Sequence, residues 1–414
     1  MESKLTSLFL ALCLSSSVVL AGKAPTVVIS AATSIAGAAG KQKVTSGGRK
    51  NGAPLISIGQ SDLYFTATGE NDSGLTYKWR ANFTAIPDIV DIDRNYIEFG
   101  HDKYGTVQVG AVGGTEDTFT QGAYKLIGGA VGLDGTSTSI YNMSSGVVGG
   151  VHLIGYTRRS NKIVVSSPVV NGFQAGISYT PNTSITGRQS LNTNAAAKSI
   201  ANDSGLYPDK DNSAFGTNNV AVGVSYANAW DDLSINADVT YVRETSKFNT
   251  KSGNNASWTV GALNNASSYQ LGLILGYKNW RFGGSFVNNG KSRMPNAPIT
   301  LTVNSVQTVY NLNEGNAGKT WDLGVQYKMD AYQFAVAYFN SKRKFDATGN
   351  TSSDAITITA DYNVLPGLKF FAEVDFIRSK TCQNAIDFSN AAKRNSGIDN
   401  NSGQVFIVGT RISF

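Results

Sequence analysis

The sequence is poor in the residues that commonly form cross-links, metal sites and catalytic groups. It has two cysteines and two histidines in 414 residues. Cys13 lies in the apolar N-terminal segment, so Cys382 is left as a single thiol and a disulfide framework is excluded. His101 and His152 stand in no Cys/His pattern that would bind zinc. The inventory therefore predicts no metal and no cofactor, and it offers no supported nucleophile–base group, so we expect no enzymatic activity.

Long apolar runs are also missing beyond the N-terminus. No run of about 18 apolar residues occurs there, which excludes membrane crossing by helices. The formal net charge is +6, too small an excess to argue for nucleic acid as a partner. Glycine is abundant with 44 residues, and 18 tyrosines and 19 phenylalanines are present. This composition suits many strands with aromatic ends and does not suit a soluble α/β enzyme.

The N-terminus has the pattern of an export signal. Lys4 gives a small positive region, Leu5–Leu20 is mostly apolar, and Ala21 is a small residue at its end. This predicts a signal peptide over residues 1–21, and residues 22–414 are then the mature domain.

Alternation of apolar and polar residues dominates the mature chain. Leu75, Tyr77 and Trp79 share one face of a segment, and Lys78 and Arg80 share the other. This is the pattern of a strand between lipid and water. Sixteen such segments are predicted: Thr26–Ile35, Asp62–Thr68, Leu75–Phe83, Tyr96–His101, Gly105–Val112, Lys162–Ser167, Phe173–Tyr179, Val220–Tyr226, Leu233–Val242, Tyr269–Lys278, Trp280–Phe286, Trp321–Lys328, Tyr332–Phe339, Ile356–Tyr362, Leu368–Ile377 and Gln404–Phe414.

The connections between these segments are alternately short and long, as in a meander closed on itself. The expected fold is all-β: a membrane-spanning, antiparallel, up-and-down β-barrel of 16 strands. Closure pairs every backbone group, which lipid requires. The longest run without alternation is the glycine-rich stretch Gly113–Asn161. We interpret it as the third long loop, folded into the lumen and narrowing a water-filled pore; a flexible external loop is the alternative.

Several stretches resemble the general porins of Gram-negative outer membranes. The hairpin Tyr96–Gly100 with Tyr104–Gly110 is similar to the one before the family's third loop. Arg158–Pro168, followed by Asn171–Phe173, is similar to the family's pattern after that loop. Terminal Phe414 matches the aromatic residue that serves the family as an outer-membrane assembly signal. The resemblance implies a homotrimer of barrels in the outer-membrane lipid, each with its own pore.

In this family, basic side chains on the wall face acidic side chains on the inward loop, and charge at the narrowest point controls passage. The candidates here are the basic residues Lys78, Arg80, Arg158 and Lys162 and the acidic residues Glu116, Asp117 and Asp134. The chain departs from the family in having Ala111 where an arginine is common, and in a thin acidic cluster. Solvated charges without a special role, and a Ca²⁺ ion held by loop carboxylates, are the alternatives.

The expected function is that of an outer-membrane porin of a Gram-negative bacterium, which passes small hydrophilic solutes and ions by passive diffusion. A substrate-selective channel for sugars, nucleosides or phosphate is an alternative, and a plugged barrel that acts as a surface antigen or adhesin is another. Inward-facing acids such as Asp238 and Asp322 accompany the basic residues, so the sequence leaves ion selectivity open. The net charge favours a weak anion preference.

Overall fold

The computed structural model describes residues 24–44, 54–58, 61–86, 89–129, 140–147, 150–183, 214–248, 256–303, 305–386 and 398–414. The predicted signal peptide lies outside these residues. The barrel strands are β1 (Thr26–Gln42), β2 (Leu55–Ile58 continuing as Ser61–Glu70), β3 (Thr76–Ile86), β4 (Ile89–His101), β5 (Gly105–Ala111), β6 (Asn161–Ser166), β7 (Phe173–Asn182), β8 (Ala214–Trp230), β9 (Leu233–Phe248), β10 (Ala266–Tyr277), β11 (Trp280–Asn288), β12 (Lys319–Met329), β13 (Tyr332–Lys344), β14 (Asn350–Leu365), β15 (Leu368–Lys380) and β16 (Asn401–Ser413).

The sheet closes on itself through its first strand. On one side, β1 pairs antiparallel with both stretches of β2. On the other side, Ala32–Gln42 of β1 pairs with Gly403–Ser413 of β16. Every other strand pairs with its neighbours in chain order. The predicted closed barrel of 16 antiparallel strands is confirmed, and closure leaves the sheet without a free edge.

Alternation along the strands separates an outer apolar face from an inner face. In β10, Tyr269, Leu271 and Leu273 are exposed, whereas Gln270 and Ile274 are buried. Aromatic rings meet across neighbouring strands close to the short turns. The rings of Trp280 and Tyr327 are 4.6 Å apart, and those of Tyr332 and Tyr362 are 4.7 Å apart. Exposed apolar side chains with aromatic residues near the strand ends are what a barrel in lipid presents outward.

Most strands extend further toward the long loops than the alternation predicted. Strand β14, for example, begins at Asn350 and not at Ile356. Outside the lipid layer both faces of a strand meet water or other loops, so the apolar–polar period fades while the backbone pairing continues. The long loops also form a separate three-stranded sheet, which the sequence did not predict. Its strands are Ala256–Thr259, Ile299–Val303 and Val306–Tyr310.

That small sheet has its own core, in which Met294, Ile299, Leu301, Leu312 and Phe345 pack together. The loops therefore carry a packed cap on this side of the barrel. Helix is rare: the stretch after β5 holds two short helical turns, Thr115–Thr118 and Ala123–Lys125. None of the helices in the described ranges is both long and apolar enough to cross a membrane.

Candidate functional site

The segment after β5 is bound to the inner face of the wall by its own backbone. The amide of Gln121 donates to Asp238 Oδ1 of β9 at 2.6 Å. The amide of Gly129 donates to Asp361 Oδ1 of β14 at 2.8 Å. Between them, the amide of Ala123 donates to Asp322 Oδ1 of β12 at 2.6 Å. Hydrogen bonds to charged acceptors are about twice as strong as neutral ones, so wall carboxylates fix the path of this segment.

Glycines on the inner face of the wall make room for the same segment. A Cβ atom at Gly324 would stand 2.9 Å from the Ala123 side chain, and one at Gly223 would stand 2.9 Å from Thr115 Cγ2. Five strands carry such a glycine beneath the segment: Gly176, Gly223, Gly272, Gly283 and Gly324. Because any larger residue there would collide with the segment, these positions form a trough in which the chain lies close to the wall.

The later part of the stretch is attached to other strands. The amide of Asn142 donates to Gln42 Oε1 of β1 at 2.8 Å. The hydroxyls of Ser144 and Ser379 lie 2.6 Å apart, which joins the stretch to β15. The amide of Ile154 donates to Asn289 Oδ1 beside β11 at 2.8 Å. The described parts of residues 113–161 therefore contact the wall in widely separated places.

Two of the predicted charged residues are buried and hold this stretch together. Glu116 is 1 % exposed, and its Oε1 accepts from the amide of Thr157 at 2.9 Å. Lys162 is 3 % exposed, and its ammonium donates to the carbonyls of Val112, Thr157 and Ser160. The structure thus places Glu116 and Lys162 in a buried contact that joins the beginning of the stretch to its end, and not on an open surface of the lumen.

Asp117 and Arg158 lie in a group of charges that surrounds an unexpected carboxylate. Asp93 is buried, and both Arg158 and Arg159 form ion pairs with it. Arg94 Nη2 lies 3.3 Å from Asp117 Oδ2. We call Arg94, Arg158 and Arg159 the arginine group. It carries three positive charges against the two carboxylates, and its side chains keep about a third of their area exposed.

The sequence analysis missed Asp93, Arg94 and Arg159 as site residues. Asp93 and Arg94 were missed because β4 contains a bulge. Asn82 of β3 pairs with Arg94 while Phe83 pairs with Ile92, so Asp93 is an extra residue in the ladder. A bulge shifts the two-residue period by one and redirects side chains, and the polar run before Tyr96 did not show alternation for this reason.

The remaining predicted wall residues lie on β3. Lys78 Nζ pairs with Glu98 Oε1 at 2.7 Å, which compensates its charge. The Arg80 guanidinium lies 5.2 Å from the centre of the Tyr64 ring, and within the described chain it forms no ion pair. Asp134 lies outside the described residues. In the described part, no group of three or more His, Cys, Asp or Glu side chains is arranged to hold a metal ion.

The acidic and basic side chains of the inner face thus differ in burial and in their partners. Asp238, Asp322 and Asp361 are covered by the stretch and bound to its amides, whereas the arginine group stays partly exposed. Lys125, within the stretch, keeps an exposed side chain. Partial desolvation lowers its pKa, although Asp238 and Asp117 oppose the change. Burial of the wall acids leaves the exposed charge on this face mainly positive.

The first and last strands meet at the closing seam. The amide of Phe414 donates to the Ala31 carbonyl at 2.8 Å, and the Ala31 amide donates back at 3.2 Å. The Phe414 side chain is 84 % exposed. The terminal aromatic ring is therefore presented on the outside while its backbone completes the barrel.

Curated relatives occur in Rickettsia. An uncharacterized protein of Rickettsia bellii is 24 % identical over an alignment of 277 residues that covers 62 % of this chain and 57 % of that protein. One from Rickettsia prowazekii is 23 % identical over an alignment of 279 residues that covers 62 % of this chain and 58 % of that protein. The chain therefore spans less than three fifths of the length of the relatives that it matches.

Solved barrels resemble the fold over almost the whole chain. OmpT, an outer membrane protein of Vibrio cholerae solved in trimer form, gives a TM-score of 0.56 at 11 % identity and covers 95 % of this chain and all of its own. A mutant of the Rh. blastica porin and the anion-selective porin from Comamonas acidovorans each give 0.51, at 13 % and 12 % identity, covering 94 % of this chain and all of their own. At these identities the likeness shows the fold alone.

These likenesses correct one expectation. The residue inventory predicted that the chain is not an enzyme. The chain shares its fold with several structures of OmpT, an outer membrane protein, and this shared fold does not support the exclusion. A barrel of this shape does not by itself fix an activity, so the shortage of histidine and cysteine is no basis for that exclusion.

The family assignment rests on the chain itself. The model of the Gram-negative porin family matches residues 8–381. Together with the closed barrel, its apolar outer face and the porin structures of the same fold, this match fixes the location in the outer membrane and supports a channel. The chain belongs to the Gram-negative porin family.

Proposed function

We propose that the barrel is an open channel through which small hydrophilic solutes and ions diffuse passively across the outer membrane. The stretch of residues 113–161 lies in the lumen and sets its narrowest width. The observation that carries this proposal is the set of amide–carboxylate bonds from Gln121, Ala123 and Gly129 to strands β9, β12 and β14. A stretch bound in this way narrows the pore without depending on flexible contacts.

The same contacts favour anions over cations. The wall acids beneath the stretch are occupied by its amides, whereas the arginine group, Arg80 and Lys125 are positive charges that stay at least partly exposed. A passage lined by one sign of charge concentrates the opposite ion. We therefore propose a modest anion preference.

We further propose that residues 1–21 are removed as a signal peptide, that Phe414 is read as the assembly signal, and that three barrels associate. The exposed Phe414 ring and the family membership support these proposals. Cross-linking of the purified protein tests the trimer, and a monomer in mild detergent contradicts it.

Conductance tests the central proposal. The folded protein is inserted into a planar bilayer, and single-channel currents are recorded with uncharged polyols of graded size. We expect ohmic steps that small polyols reduce and large polyols leave unchanged, with a reversal potential on the anion side in a salt gradient. Folded protein that gives no current contradicts the channel. Saturable block by one solute would show a substrate-selective channel.

A further inference from the structure

A basic groove lies on the outer side of the barrel, at the end where the long loops begin. It is formed by Lys291, Lys319, Lys342 and Lys344 around a cavity of about 470 Å³. We propose that this groove binds the phosphate-bearing headgroup of a lipid in the outer leaflet. The proposal concerns the outside of the wall and does not depend on conduction through the lumen.

Two of the lysines oppose each other directly. Lys319 of β12 is the register partner of Lys342 of β13, and both are exposed. Like charges at directly opposite positions in a sheet destabilise the pair unless a counter-charge is present. Among the described residues, no carboxylate forms an ion pair with any of the four lysines. An external anion would supply that counter-charge.

The lining suits an anion that also accepts hydrogen bonds. Besides the four lysines, the groove is lined by three asparagines and two glycines, with no acidic and no apolar side chain. The glycines are Gly290 and Gly318, which both have positive φ, at 52° and 96°. Their lack of side chains leaves room between the lysines. The oxygens of a tetrahedral phosphate would accept hydrogen bonds from several ammonium groups here at once.

The position of the groove matches the depth of a headgroup. On the same outer face, Lys319 lies two residues beyond Trp321, and the Trp321 ring is 5.1 Å from that of Tyr338. Two residues of strand span about 7 Å. Aromatic side chains sit at the edge of the hydrocarbon layer, so lysines one step further out lie among the headgroups. The long-loop end of such barrels faces outside, so the leaflet is the outer one.

Two other exposed cations on the barrel surface have carboxylate partners within the chain. Further around the same rim, Arg378 is 3.1 Å from Asp354 Oδ2, and Asp354 also accepts from Tyr338 at 2.7 Å. There the positive charge has a partner within the chain. At the turn end of the barrel, Lys278 lies 3.9 Å from Asp232. The four lysines of the groove thus differ from Arg378 and Lys278, which each have a carboxylate partner.

The test compares two variants that each lose three positive charges. K319S/K342S/K344S removes most of the groove, and K103S/K278S/K328S removes exposed lysines of the turn end. The native chain and each variant are purified and incubated in detergent with phosphatidic acid, phosphatidylcholine or inorganic phosphate. Bound molecules are then measured by native mass spectrometry. Folding of both variants is checked by their resistance to denaturation in sodium dodecyl sulfate.

We expect the native chain to retain phosphatidic acid in preference to phosphatidylcholine. Each lysine near a membrane surface contributes roughly a fivefold gain in binding, so the groove variant should bind on the order of 100-fold more weakly while the control variant is unchanged. Raised salt should also weaken the binding of phosphatidic acid to the native chain. Equal retention by native chain and groove variant overturns the proposal, as does equal loss in both variants. Retention of inorganic phosphate without the lipid also overturns it, since the groove would then take a free anion.

Discussion

The amide of Ala123 donates to Asp322 Oδ1 at 2.6 Å, across 199 positions of sequence. The second oxygen of the same carboxylate accepts from Ser285 Oγ at 2.6 Å, so both oxygens are occupied. One buried acid of β12 thereby connects the inner stretch, its own strand and β11. A carboxylate in this position acts as an anchor for backbone, and its charge is not offered to a passing ion.

Asp322→Ala removes that anchor. A hydrogen bond to a charged group is worth about 2 kcal/mol, so we expect the free energy of opening the turn Ala123–Lys125 to fall by that amount. Hydrogen exchange of this turn should accelerate roughly 30-fold, and single-channel current should become larger and noisier. The barrel itself should stay folded, because the backbone ladder of β12 does not use the carboxylate.

Glu98→Ala is the matched control for that change. Glu98 is also an inward carboxylate, but its partners are Lys78 and Gln108 on neighbouring strands. Exchange of Ala123–Lys125 should be unchanged in this variant. An equal acceleration in both variants would mean that the carboxylate of Asp322 does not hold the stretch.

A second prediction concerns how closely the stretch approaches β14. A Cβ atom at Gly128 would lie 1.9 Å from Asp361 Oδ2, so Gly128→Ala must displace either the backbone or the carboxylate. We expect a change in the polyol size limit of the channel. Gly150→Ala tests the same chemical change in the same stretch, at a position with open space around the new methyl group. If the two variants have the same size limit as the native chain, the stretch at Gly128 does not shape the passage.

Alternation was enough to predict the barrel because lipid imposes it. Tyr269 to Leu275 must be apolar on one side where the strand crosses the membrane, and this makes the period visible in the sequence. The site was harder to predict. Lys162 has an inward position, but parity does not tell whether another segment covers a side chain. Glu116 lies in the loop, where the two-residue period does not apply. Asp93 was missed because its bulge breaks the period on which the prediction depended.

The trough of wall glycines was a signal that could have been used. Gly272 and Gly324 occur at inward positions of predicted strands, where a wet lumen would tolerate larger polar residues. A repeated glycine on the inner face of neighbouring strands indicates close approach by another backbone. The three-stranded cap had no such signal, since its short strands are set by contacts among distant loops.

A third prediction concerns the ion preference. Arg80 faces the inner side without an ion pair in the described chain, so Arg80→Gln removes an uncompensated charge. At ~10 Å in water a unit charge changes the energy of an ion by about 0.4 kcal/mol, a factor of about two for each sign. The anion-to-cation permeability ratio should fall roughly fourfold at low salt, and less at high salt.

Arg378→Gln is the control for this experiment, because it makes the same substitution on the outer face. Arg378 is paired with Asp354 there. The reversal potential of the Arg378→Gln variant should equal that of the native chain. A native reversal potential after Arg80→Gln would show that the inner charges which set selectivity lie elsewhere.

The last prediction is a pH dependence in the loop between β13 and β14. Asp346 accepts from the amides of Thr348 at 2.9 Å and Gly349 at 2.8 Å, and from the side chain of Asn384. Burial opposes ionisation, but these hydrogen bonds outweigh it and lower the pKa of Asp346. Because the pKa is lower in the folded loop than in the unfolded loop, the stabilisation is complete above the unfolded pKa of about 3.9 and is lost as pH falls through the folded value.

Hydrogen exchange of Asp346–Gly349, corrected for its intrinsic rate, should therefore rise as the pH is lowered below about 4. Asp346→Asn removes the titrating group, so its corrected exchange should be faster than native near neutral pH and should not change further with acid. The comparison is made at each pH, because acid also acts on other carboxylates of the barrel. Parallel pH profiles in the two proteins would show that Asp346 does not stabilise the contact between this loop and Asn384.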